Sequence, residues 1–118
     1  MNENILTVRV QSLKDAMREI SAAVANSQSE ATPGLSFPTY ELLHQVLTPK
    51  RLDVVRAMAG QGPLGYREIA RRVGRDYKGV HSDITALIKA GVIDRQKDGV
   101  VFPYETIHFE FDIKANAA

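Results

Sequence analysis

The stretch that most restricts the fold is GYREIARRVGRDYKGVHSDITALIKAGVI, from Gly65 to Ile93. Ile69, Ala70 and Val73 fall on one face of a short helix, and Gly74 breaks it. Asp76 is an N-cap acceptor that opens a second helix, in which Val80, Ile84, Leu87 and Ile88 recur at helical spacing. Gly91 ends that helix. The following VIDRQKDGVVFP reads as a hairpin of short strands with Asp98-Gly99 at its tip.

The rest of the chain is read around this unit. Ile5–Val10 is β-branched and predicts a strand with Leu6, Val8 and Val10 on one face. Ser12 and Asp15 resemble a capping box, behind which Leu13, Met17, Ile20 and Val24 line a helix ending near Asn26. Ser27 to Gly34 is polar, ends in Pro-Gly, and predicts a linker. LSFPTYELLHQVL predicts a helix with Pro38 in its first turn. Thr48-Pro49 caps the next helix, whose stripe is Leu52, Val55, Met58 and Ala59 and which stops at Gly60-Gln61-Gly62-Pro63. Ile107 to Ile113 alternates apolar and polar residues, so it predicts a strand. Its natural partner is the N-terminal strand, in the same chain or a second copy, with Arg9 opposite Glu110 or Asp112. The first predicted helix would cover the sheet, and the sheet would form a dimer interface, since an open edge invites aggregation. The expected fold class is mainly α with a small β component. It is a winged helix-turn-helix over 35–103, with an N-terminal strand-helix extension over 1–34 and a C-terminal strand and tail over 104–118.

Composition narrows the functional classes. The 118 residues include no cysteine, which removes disulfides, thiolate metal sites and a cysteine nucleophile, and fits a reducing, cytoplasmic location. No run is long and apolar enough for a membrane span, and the N-terminus has no signal-peptide pattern. The net charge of +1 conceals an uneven distribution. Residues 1–48 carry three basic and five acidic side chains, residues 49–97 eleven and five, and residues 98–118 one and four, giving −2, +6 and −3. The positive charge coincides with the helix-turn-helix, as a polyanion-binding face requires; a solvated surface is the plain alternative.

If Val80, Ile84, Leu87 and Ile88 face the core, then Tyr77, Lys78, His81, Ser82 and Thr85 face outward, where a recognition helix meets base edges. Lys78 and His81 can donate to guanine or a phosphate, Ser82 can donate or accept, and Tyr77 can reach a phosphate or pack on a thymine methyl. Gly79 is costly inside a helix. Either it admits a close sugar-phosphate backbone or it avoids a clash with the preceding helix. Lys50 and Arg51 occupy a first helical turn, where the dipole disfavours cations unless an anion is near. With Arg67 and Arg75, and with Arg95 and Lys97 on the hairpin, they complete the expected DNA-binding set. No enzyme, metal site or cofactor is expected. His81, Ser82 and Asp83 are consecutive on a helix and diverge, so they cannot form a catalytic relay. The polar face His108, Glu110 and Asp112 reads as solvated, and GQGPLG lacks the lysine and spacing of a phosphate loop. His44 reads as a packing residue, and Phe37, Tyr40 and His44 either pack between helices or line a small pocket.

LSFPTYELLHQVLTPKRLDVVRAM, GYREIARRVGRDYKGVHSDITALIKAGVI and VVFPYETIHFEF together resemble small prokaryotic winged-helix regulators of the antitoxin-type DNA-binding class. These are related in fold to the multiple-antibiotic-resistance and arsenical-resistance repressors. The resemblance covers nearly the whole chain and is most specific at LTPKR, GRDYKGVHSD and VFPYE. It implies a double-stranded DNA-binding transcriptional regulator, a homodimer, with a toxin protein as a further partner. The expected activity is therefore dimeric repression, with a protein-interaction module as the alternative and a ligand-sensing regulator as a third.

Overall fold

A computed structural model describes residues 4–12, 14, 17–18, 34–113 and 115. Most of the predicted N-terminal helix and of the linker after it lies outside the described residues. The elements run β1 (Ile5–Val10), β2 (Gly34–Phe37), α1 (Tyr40–Val46), α2 (Pro49–Met58), α3 (Tyr66–Val73), α4 (Tyr77–Lys89), β3 (Asp94–Gln96), β4 (Gly99–Val101) and β5 (Thr106–Glu110). Among the described residues no helix is long and apolar enough to cross a membrane.

Local chemistry sets the helix boundaries. Thr39, Thr48 and Asp76 are N-caps whose side chains accept from Leu42 N, Arg51 N and Gly79 N. Gly65 holds the N-cap position of α3 with no side-chain hydrogen bond. At the other ends, Gly74 (φ 69°) and Gly91 (φ 85°) adopt the left-handed conformation. The amides of Gly74 and Arg75 reach back to Arg71 O and Ala70 O, and those of Gly91 and Val92 reach Ile88 O and Leu87 O. This double reach-back closes each helix and satisfies its last carbonyls.

The helices pack into one core. α2 contributes Val54, Val55 and Met58, α3 Ile69 and Ala70, and α4 Val80, Ile84 and Leu87. Val92, Ile93, Val100 and Phe102 from around the hairpin close it, and Leu6 and Val8 of β1 join it. Each of these side chains larger than alanine contributes roughly 1.5–3 kcal/mol on leaving water.

The expected fold class is corrected by the sheet. β1 lies between β2 and β5 in a three-stranded sheet and pairs parallel with both. The five strands hold 21 of the described residues and helices α1 to α4 hold 38, so the chain is mixed α/β and not a mainly α winged helix-turn-helix with appendages. The physical reason is long-range. Parallel neighbours need crossover connections, and here the whole helical unit from α1 to the hairpin is the crossover that brings β5 back beside β1. A strand read as an appendage is thus one of three in a sheet whose other members lie about 70 and 100 residues away in sequence.

Smaller differences accompany it. Gly34–Phe37 is a strand, so Pro38 stands before the N-cap of α1 and not in its first turn. Gln96 pairs with Gly99, so the hairpin loop is Lys97-Asp98 and the glycine already belongs to β4. β5 stops at Glu110, leaving Ile113 78% exposed. The pairing of β1 with β5 is within the chain, and Arg9 Nε donates to Glu110 Oε2 at 3.2 Å, one of the two partners expected for it.

Candidate nucleic-acid interface

α4 has two chemically distinct faces. Its inner face is the apolar row already described, plus Asp83. Its outer face forms a shallow groove of about 510 Å³ lined by Arg51, Lys78, His81, Ser82, Thr85, Ala86 and Lys89. Lys78, Ser82, Thr85 and Lys89 follow the helical repeat, so they make one stripe with a lysine at each end. Lys89 is absent from the sequence-expected set, although the same repeat extended by one turn finds it. Thr85 Oγ1 donates to His81 O at 2.9 Å, so its hydroxyl has only acceptor capacity left for a ligand.

An aromatic cluster borders this groove. The His81 ring lies 4.8 Å from that of Tyr66 and 5.8 Å from that of Tyr77, and the Arg67 guanidinium sits 4.8 Å above the Tyr77 ring. Arg67 and Tyr77, expected separately as DNA contacts, are therefore one cation-π pair on the rim. Lys50 is exposed on α2, and Arg95 and Lys97 are exposed on the hairpin; none of the three lines the groove.

Arg51 and Arg75, two more of the expected cations, have partners inside the chain. Arg51 Nε donates to Asp83 Oδ1 at 3.2 Å, and Arg75 Nη1 donates to Asp83 Oδ2 at 2.7 Å. Arg51 Nη1 also donates to the carbonyls of Gln45 and Val46, at 3.3 and 3.1 Å. These are the last carbonyls of α1, which otherwise lack helical donors. A cation in the first turn of α2 thus has an internal anion and two carbonyls to justify it. Gly79 has an internal reason too. A Cβ there would stand 3.1 Å from Asp76 Oδ1 and 3.2 Å from Arg75 Nη2, so the glycine makes room for the cap and for the guanidinium reaching Asp83. Asp83 was not singled out by its sequence neighbourhood, because its partners lie 32 and 8 residues away.

Arg71 and Arg72 converge on Glu68. Arg71 donates twice, at 2.8 and 2.6 Å, and Arg72 Nε donates at 2.8 Å. Hydrogen bonds from Arg71, then Arg72, hold the Glu68 carboxyl down from 4.5 to about 2. A depressed folded-state pKa means stability that is fully present above the ordinary value and lost as the pH falls toward the folded one. The Glu68 side chain is one-third exposed (33%), so water screens the effect and the loss is modest. Urea unfolding between pH 5 and pH 2.5 is expected to show wild type losing ground to Glu68→Gln as the pH drops below about 4.5. Parallel curves for the two proteins would refute this coupling.

No curated protein and no solved structure matches the chain. Residues 46–109, which run from the end of α1 through α4 and the hairpin into β5, match the family described as HVO_A0114. The match takes in the whole groove and more than half of the chain, which therefore belongs to the HVO_A0114 family.

Proposed function

We propose that this protein is a sequence-specific double-stranded DNA-binding regulator of transcription, acting in the cytoplasm as a homodimeric repressor. The observation that carries the reading is the α4 groove. Lys78, His81, Ser82 and Lys89 offer donors and acceptors on one exposed helix face, with no acidic side chain among the lining residues. Lys78 and Lys89 are eleven residues apart, roughly 16 Å along a helix, which spans a major groove of about 12 Å. The lysines then meet phosphates at the borders while His81 and Ser82 lie against base edges. Phosphate contacts set position and affinity, and base contacts set sequence. The likeness of the sequence to prokaryotic DNA-binding regulators supports the same conclusion. In a two-fold dimer the two α4 helices enter successive major grooves about 34–36 Å apart, and the site is an inverted repeat. Repression follows from covering a promoter and needs no cofactor.

A second reading, a module that docks a toxin or another protein partner, has one observation in its favour. An open, mainly apolar groove of about 350 Å³ lies between α2 and β5, lined by Leu52, Val55, Ala59, Phe102, Ile107 and Phe109 among others.

Selection from a random-sequence duplex pool with the purified protein separates the two readings. The expected result is an enriched inverted repeat. On that sequence, Lys78→Ala and His81→Ala are each expected to weaken binding by roughly 1–3 kcal/mol, and Arg95→Ala to weaken all sequences alike. No enrichment, with uniformly weak affinity, would contradict the DNA reading.

A further inference from the structure

Asp83 is the one acidic side chain within α4, and it is buried, 9% exposed. Its two oxygens are divided between two guanidiniums. Arg51 comes from the first turn of α2, and Arg75 from the loop that leads into α4. Both arginine side chains keep about a quarter of their surface in solvent, at 23% and 24%, and Arg51 also lines the groove. One cation that lines the groove, Arg51, and a second from the loop before α4, Arg75, are therefore held by the same carboxylate. Lys78 and Lys89 make no ion pair among the described residues.

We infer that Asp83 is a specificity-determining positioning residue. It withdraws Arg51 and Arg75 from phosphate binding and leaves Lys78 and Lys89 as the free cations of the groove. This rests on the DNA-binding reading above. The triad of two arginines and one carboxylate carries a net charge of +1. Without the carboxylate's charge it carries +2, on long side chains able to reach phosphates of any sequence. Phosphate neutralisation is sequence-independent, so freeing these arginines raises binding to all DNA and erodes discrimination. The clamp also fixes α4 against α2, which holds the base-facing residues in one register.

The test is the salt dependence of binding to a mixed-sequence 25-bp duplex. Each phosphate neutralised contributes about −0.9 to the slope of log affinity against log salt. Lys78→Gln is expected to make the slope shallower by about 0.9, and Arg75→Gln to leave it unchanged. Asp83→Asn, which keeps the size and one acceptor, is expected to steepen the slope by about 0.9 or more and to tighten mixed-sequence binding several-fold. Asp83→Asn/Arg75→Gln, with the charge restored, should return toward wild type. A purely structural role for Asp83 would lower stability without steepening the slope. Should Asp83→Asn not fold, the Arg75→Gln and Lys78→Gln pair carries the test alone. Wild type that binds no duplex overturns the DNA reading and this inference with it. Wild type that binds, with an unchanged slope for Asp83→Asn or a slope shallower by about 0.9 for Arg75→Gln, overturns this inference alone.

Discussion

Gly99→Ala is expected to destabilise the protein by at least about 3 kcal/mol. Gly99 opens β4 at φ 140°, and a Cβ there would lie 2.3 Å from the carbonyl oxygen of Leu64 and 2.7 Å from its carbon. Both are backbone atoms, so neither can swing aside. Leu64 is held there by reciprocal hydrogen bonds with Val100, each 2.9 Å, which dock the hairpin against the entrance to α3. Backbone strain costs roughly 1–3 kcal/mol, and losing the two bonds adds about 0.5–1.5 kcal/mol each. Val100 and Phe102 are also core residues, so a displaced hairpin exposes apolar surface. Gly91→Ala is the control. Its φ of 85° is strained for alanine, but nothing stands within 4 Å of the added atom, so about 1 kcal/mol is expected. Thermal unfolding should place Gly99→Ala at least 10 °C below wild type, roughly 4 °C or more per kcal/mol for a domain of this size. A drop no larger than that of Gly91→Ala would show that the hairpin yields freely.

Arg51→Ala is expected to cost about 2–3 kcal/mol, although the residue looks like one more surface cation in the sequence. Its loss leaves the buried Asp83 with Arg75 alone and strips the carbonyls of Gln45 and Val46 of their donor. Removing one partner of a buried ion pair typically costs 3–5 kcal/mol, and the partial solvent exposure of Arg51 reduces that figure. Three elements loosen together, because the side chain ties α1, α2 and α4. Lys50→Ala, one residue earlier and exposed, is expected to stay within about 0.5 kcal/mol of wild type. Urea unfolding of the two variants makes the comparison. Equal stability for both would mean that the Asp83 clamp contributes nothing to the fold.

These two residues also mark where sequence reasoning stops. The helix boundaries were legible because their causes are local: Thr48 and Asp76 cap within three residues, and Gly74 and Gly91 turn the chain on the spot. The outward row on α4 was legible because its apolar complement is strictly periodic. Gly99 was correctly marked as special but for another reason. Turn chemistry and close backbone approach both demand glycine, and only the position of Leu64 tells them apart. Arg51 was assigned to an external phosphate because its anion, Asp83, lies 32 residues away. The sheet was legible only in part: the pairing of β5 with β1 was expected, but not β2 or the parallel order. β5 and β1 each carry a clear strand signal, but β2 has only Leu35 and Phe37 on its four residues, too few to establish a period. Nothing local to any of them specifies parallel order.

In the proposed function, the outer face of α4 is the surface that meets duplex DNA. Amide chemical-shift mapping of the isotope-labelled full chain during titration with a selected duplex tests it most directly. The expected result is perturbation concentrated on Tyr77, Lys78, His81, Ser82, Thr85 and Lys89, with weaker shifts at Arg95 and Lys97 and little change along β2, β1 and β5. Shifts centred on Leu52, Ile107 and Phe109 in the groove between α2 and β5, or no shifts at all, would contradict it.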